Sequence, residues 1–237
     1  MEATPTAAPP LREVVAGQIW VKEWPVHFAG VDVLTRMTVL RCHGGVFLHS
    51  PVEIDAATRA AIEQIGPVRA LIAPSTTHHV FVGNAKAAFP DAPIYGIRGL
   101  DEKRPDLYFD QLLSDSPPAL WADEMDQVVI GNSVMREVDF LHRASRTLIA
   151  TDLVENFRDE TPGTNAVLRQ FMHVMGMWNH PRPAPELRWL TIHRRQAQEA
   201  LETMLGWDFD RAIISHGELL VNDPKAAIRE AWHWLLR

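Results

Sequence analysis

Three short apolar runs in this chain each lead into side chains that can hold a metal or move a proton. Residues 145–152 read Ser-Arg-Thr-Leu-Ile-Ala-Thr-Asp and finish on Asp152. Residues 213–217 read Ile-Ile-Ser-His-Gly and carry His216. The run 68–73, Val-Arg-Ala-Leu-Ile-Ala, leads through Pro74 and Ser75 to Thr76, Thr77, His78 and His79. A buried strand fixes its last side chain, as a metal or catalytic site requires. Imidazole and carboxylate together suit zinc, or iron or manganese when two histidines and one carboxylate share a face. A metal so held lowers the pKa of its water toward neutrality and makes a hydroxide nucleophile available. The competing structural reading is a buried Asp that accepts backbone N–H bonds and a His satisfied in the core.

The elements that must position these groups follow an α/β order. Residues 18–23 and 31–42 are rich in Val, Ile, Trp, Thr and Leu and read as strands, with His43-Gly44-Gly45 turning into a strand over 46–49. Asp55 reads as the N-cap of a helix over 56–65 that Gly66-Pro67 ends. The run 68–73 has the near-continuous apolar pattern of a strand covered on both faces. One or two helical turns over 84–89 and a strand over 93–96 follow, and residues 100–122 read as an irregular connection. Residues 126–130 and 135–141 alternate like two antiparallel strands around a tight turn at Gly131-Asn132, with a third strand over 147–150. Helical spacing covers 164–177 and 191–206, the second with Ile192, Ala197, Ala200, Leu201, Met204 and Leu205 on one side. A last strand spans 211–215, and Asp223-Pro224 opens a closing helix to 236. Two sheets packed face to face, with helices outside, fit this order.

A chain of 237 residues can bury a sizeable core. Its formal net charge of −7 argues against nucleic acid or an anionic membrane as partner. The single cysteine, Cys42, excludes an intramolecular disulfide and a Cys-based zinc cluster and fits a reducing compartment. Residues 1–10 are small and Pro-rich and read as a loose tail, not a signal peptide. No apolar stretch reaches the roughly 18 residues of a membrane span. The expectation is a soluble, cytoplasmic protein. Neither a Gly-x-Ser-x-Gly elbow nor a Walker loop is present.

The segments Gly45-Val46-Phe47-Leu48-His49-Ser50-Pro51, Thr77-His78-His79-Val80-Phe81-Val82-Gly83, Phe89-Pro90-Asp91-Ala92, 140–149 with Thr151-Asp152, and Ser215-His216-Gly217 carry a resemblance in shared order and spacing. The chain resembles the metallo-β-lactamase fold superfamily, and within it an uncharacterised family still called a domain of unknown function. The likeness runs from about residue 18 to the C-terminus. It implies a four-layered αββα sandwich with metal sites on one rim, here a single domain over 16–237 behind a tail over 1–15. The superfamily's His-x-His-x-Asp-His motif falls on Thr76, His78, Val80 and Phe81, so only its middle His survives, as His78 or, with the loop shifted by one, His79. The next superfamily His falls near Asn132 or Ser133 and is absent. Asp152 fits the bridging carboxylate and His216 the final His.

The resemblance therefore implies a reduced, mononuclear centre. Its candidate ligands are His78, His79, Asp152 and His216, with His142 as a fourth ligand, a donor to Asp152 or a turn residue. Asp152 and His79 are the candidates for catalysis. The expected function is metal-dependent hydrolysis of a small ester, lactone, thioester or phosphoester with one zinc, iron and manganese being the alternatives. The rival reading is a binding or scaffold protein that keeps the fold without metal. His49 either lines the pocket or bonds its turn, and His43 reads as an exposed turn residue. Thr76 and Thr77 either orient a ligand or cap the backbone. Arg143 and Arg146 pair with Asp152 or an anionic substrate, or stand in solvent. The Met-rich stretch 171–178 roofs a pocket, forms a homodimer patch or fills core. Trp232 and Trp234 read as packing anchors.

Overall fold

The computed structural model describes residues 11–28, 30–42, 44–131, 136–189 and 193–236. Strands β1 (Arg12–Val15), β2 (Ile19–Phe28), β3 (Val31–Cys42), β4 (Gly45–His49), β5 (Val68–Ala73), β6 (Ile94–Ile97) and β7 (Gln111–Leu113) form a seven-stranded sheet in sequence order. It is antiparallel from β1 to β4 and parallel from β4 to β7. Strands β8 (Met125–Gly131), β9 (Arg136–His142), β10 (Thr147–Ile149) and β11 (Arg211–Ile213) form a second sheet in the order β11-β10-β9-β8. In that sheet β10 and β11 run parallel, so residues on their C-terminal ends emerge side by side.

Seven helices accompany the sheets among the described residues: α1 (Ala56–Ile65), α2 (Val82–Ala88), α3 (Leu100–Lys103), α4 (Ala166–Val174), α5 (Pro185–Trp189), α6 (Arg194–Gly206) and α7 (Pro224–Ala231). One core joins Ile62, Val82 and Leu100 from α1–α3 to the large sheet and to Val138, Phe140 and Ile149 on the inner face of the small sheet. A second core joins Leu141, Leu148 and Ala150 on the outer face to Leu187, Leu201, Met204 and Ile228 on α5–α7. The result is helix, sheet, sheet, helix, each layer hiding one apolar face against the next. A third, smaller cluster sets Leu168 and Met172 of α4, with Phe157 and Trp178, against Val31 and Val33 of β3.

Local signals explain most element ends. The Asp55 carboxylate accepts the N–H of Thr58 at 2.7 Å and so caps α1, and Gly66 closes it by donating to Ile62 O at 3.1 Å. Asp223 caps α7 through the N–H of Ala226 at 3.0 Å, with Pro224 in the first turn. Trp232 is buried and its indole N–H donates to Leu153 O at 2.9 Å, an anchoring role.

Three expectations change. Residues 12–15, placed in the tail, pair with β2 because Val14 and Val15 pack on the large-sheet core. The stretch 100–122 holds α3 and the edge strand β7, and it carries Trp121, fully buried against Phe47, Tyr95 and Phe140. Helix α5 was not foreseen. His43, Asn132, Ser133 and Ile192 lie outside the described residues. Among the described residues no helix is long and apolar enough to cross a membrane.

Candidate metal centre

Asp152 and His216 reach the same point because of strand register. Ile149 of β10 sits opposite Ile213 of β11, and each functional residue follows its registered Ile at the same offset. The backbone pairing continues past the strand ends, from Ala150 N to Ile213 O at 2.9 Å and from Ser215 N to Thr151 O at 3.3 Å. His78 arrives from the other sheet, on a turn after β5 that Ser75 holds by accepting the N–H of His78 at 3.0 Å and of Thr77 at 3.2 Å. His78, Asp152 and His216 form a group whose ligand atoms lie within 4.8 Å of one another, the only such group of three among the described residues.

Each member is oriented from behind. The Nε2 atoms of His78 and His216 approach Asp152 Oδ1 at 3.1 and 3.5 Å. The Nδ1–H of His216 donates to Leu34 O at 2.8 Å, which leaves Nε2 as the lone-pair nitrogen of the neutral ring. Ser50 Oγ meets His78 Nδ1 at 2.9 Å from a residue held in left-handed backbone at φ 50°, a cost that buys this placement. Thr77 Oγ1 donates to Asp152 Oδ2 at 2.8 Å. With its one proton committed there, Thr77 accepts from Ser75 Oγ, also at 2.8 Å. The N–H of Asp152 donates to Glu137 Oε2 at 2.6 Å. Arg36, buried, donates to Gly217 O at 2.8 Å and to Ile214 O, which fixes the loop carrying His216, and pairs with Glu23 at 3.1 Å.

The three groups are electrostatically coupled. Burial on its own would raise the Asp152 pKa, but the His78 and His216 rings outweigh it and hold the carboxyl well below its usual range. Burial would likewise lower His216, and the hydrogen bond and charge of Asp152 reverse this, raising it. Two imidazole nitrogens around a charged, buried carboxylate match the donor chemistry of zinc or ferrous iron, so the residues fit a bound metal.

The other sequence candidates lie elsewhere. His79 lines the same cavity, yet it stands outside the three-residue group, with Nδ1 3.3 Å from Arg104 and its pKa pushed down to about 4 by burial and by Lys103 and Arg104. His142 is engaged by Ser145 Oγ at 2.7 Å and Arg41 O at 3.2 Å, at the end of β9 that pairs with Met125 and Thr147. That places it away from Glu137, the β9 residue that meets Asp152, and burial lowers its pKa. His49 is fully buried, edge-on to Phe140 with Nε2 unpartnered, and burial pushes its pKa down to about 3. Arg143 pairs with Asp126, and Arg146 with Asp208 and Asp210, not with Asp152. The Cys42 thiol is buried and its pKa is raised, so it is no nucleophile.

Sequence reasoning missed Ser50, Glu137 and Arg36. Two acids at alternate positions of an apolar strand, Glu137 and Asp139, were the available signal for the second, since both then point to one face.

The four layers and the rim site define a metallo-β-lactamase fold. A metallo-β-lactamase from Pontibacter korlensis is 11% identical, covering 94% of this chain and 98% of its own, with a TM-score of 0.63. One from Hirschia baltica is 11% identical over 97% and 99%, also at 0.63. The FIM-1 enzyme from Pseudomonas aeruginosa, solved in its mono-zinc form, is 12% identical over 97% of both chains, again at 0.63. No curated protein matches the chain. The chain belongs to the family described as Domain of unknown function (DUF4336), whose profile matches residues 16–183 and so takes in His78 and Asp152 but ends before His216.

Proposed function

We propose that this protein is a metal-dependent hydrolase with a mononuclear centre held by His78, Asp152 and His216. The observation that carries the reading is the group of ligand atoms within 4.8 Å, with the His216 nitrogen selected by its hydrogen bond to Leu34 O. A bound metal supplies Lewis acidity, lowering the pKa of water and polarising a scissile carbonyl or phosphoryl oxygen. The chain's own groups hold and orient. Thr77 holds the Asp152 carboxylate, Glu137 holds the Asp152 backbone N–H, Ser50 fixes the His78 ring, and the neutral His79 imidazole stands on the cavity wall. Hydrolysis of an ester or thioester puts the water oxygen on the acyl carbon and breaks its bond to the leaving oxygen or sulfur, which takes up the proton. The buried Cys42 fits a reducing compartment, and we read the protein as cytoplasmic.

One observation favours a second reading, a binding protein without metal. The Asp152 oxygens are already engaged by Thr77 and by two rings, so the cluster closes on itself through hydrogen bonds. Elemental analysis separates the two. Protein purified without added metal or chelator is expected to carry roughly one zinc, iron or manganese per chain, and Asp152→Ala combined with His216→Ala to carry none. A metal-free wild type whose thermal stability does not change when zinc, manganese or ferrous iron is supplied would sink the hydrolase reading.

A further inference from the structure

The three-residue group opens into a cavity of about 700 Å³ whose lining surface is mostly apolar. His78, Asp152, His216, Thr77 and Ser50 meet on its lining, which also carries His27, Thr35, His79, Lys103 and Glu155. Two elements that pack on each other through Leu168, Met172, Val31 and Val33 supply much of the apolar lining. One is the β2–β3 hairpin, where Val26 and Val33 face each other in register beside Val31. The other is α4, which contributes Leu168, Phe171 and Met172. A ligand matched to this lining has a polar head at the three-residue group and a largely apolar body. Among esters, thioesters and lactones, that body is a hydrocarbon acyl group. Met172 suits such a chain because its unbranched thioether adapts to irregular shapes. Phe171, 43% exposed, carries the apolar wall out to the mouth.

We propose that the cavity selects substrates with a long apolar acyl group, which lies along the apolar surface that the β2–β3 hairpin and α4 present, with its carbonyl at the His78–Asp152–His216 group. The placement of the scissile bond rests on the hydrolase reading above; the binding of the acyl chain does not. Each methylene removed from water against these walls contributes affinity, so binding grows by up to about fourfold per methylene until the chain reaches the mouth.

The test is displacement of dansyl-undecanoic acid from the purified protein by hexanoate, octanoate, decanoate and dodecanoate, with and without prior chelator treatment. The expected result is displacement that strengthens with chain length in both samples. Phe171→Asp on α4 and Val26→Asp on the hairpin, both at partly exposed positions, should each weaken it about tenfold or more, while Phe171→Leu keeps it. Circular dichroism confirms that the variants fold. A probe that does not bind, displacement indifferent to chain length, or binding unchanged in both Asp variants would overturn the proposal. Zinc-loaded protein is then offered nitrophenyl esters from acetate to dodecanoate. Length-dependent binding without turnover of any ester leaves the acyl cavity standing and removes the hydrolase reading. Turnover of acetate alone, with no fatty acid bound, does the reverse.

Discussion

Thr77 occupies the face of Asp152 that the two imidazoles leave open. Its hydroxyl donates to Oδ2 while Oδ1 meets both Nε2 atoms, so Oδ1 is the oxygen that would be offered to an ion between the rings. Thr77→Val removes that donor at nearly constant volume. Zinc affinity, measured by competition with a chromophoric chelator, is expected to fall by about 10–100-fold, and Thr77→Ser to retain most of it. Unchanged affinity in Thr77→Val would mean that the carboxylate is positioned without the hydroxyl. At this scale the residue types were readable in the sequence, but their geometry was not. Adjacent histidines at 78 and 79 are equivalent on paper. Only the turn capped by Ser75 decides that His78 faces Asp152 while His79 turns to Arg104. Leu34 O, which selects the His216 tautomer, is a backbone atom that no side-chain pattern marks.

At the scale of elements, the site depends on a parallel strand pair and on the loop that continues it. Gly217 directly follows His216 at φ +81°, and a Cβ there would meet Asn156 O at 2.2 Å. Gly217→Ala therefore combines backbone strain with a clash against main chain. It is expected to lower the stability of the metal-free protein by about 3 kcal/mol, read as a shift in the urea midpoint. A loss below about 0.5 kcal/mol would show that the loop relaxes freely. Elements with strong local signals were legible: α1 runs over the residues that its Asp55 cap and Gly66-Pro67 stop imply. Strand β7 was not, because three residues at a sheet edge are held by their pairing with β6, a contact no local pattern encodes. The same holds for α5, one turn of helix whose Leu187 packs against the small sheet.

At the scale of the whole molecule, buried titratable groups set opposite responses to acid. His49 stays neutral in the fold down to about pH 3, whereas an unfolded His takes up its proton near 6.5. Between these values the unfolded chain binds the extra proton, so this contribution is present above about pH 6.5 and is lost as the pH falls. Glu137 and Asp139 run the other way. Burial and neighbouring negative charge raise both, so they keep protons in the fold that the unfolded chain has released, and their contribution is lost as the pH rises. On chelator-treated protein, His49→Leu is expected to lose less stability than wild type between about pH 6.5 and pH 5, by up to about 1.4 kcal/mol per pH unit. Parallel acid profiles from urea midpoints would contradict this. The four-layer order itself was legible, since alternating strands and helices leave few ways to hide each apolar face. The excursion between β10 and β11 has a further consequence. Glu155 and Arg182 exchange backbone hydrogen bonds of 2.7 and 3.1 Å, pinching residues 156–181 into a lobe with a closed neck. Helix α4 rides on this lobe while His78, Asp152 and His216 stand outside it. Beyond Asn156, whose backbone pairs with the loop that carries His216, the lobe can therefore be lengthened, shortened or exchanged with its neck intact, and what the protein admits can diverge while His78, Asp152 and His216 keep their places.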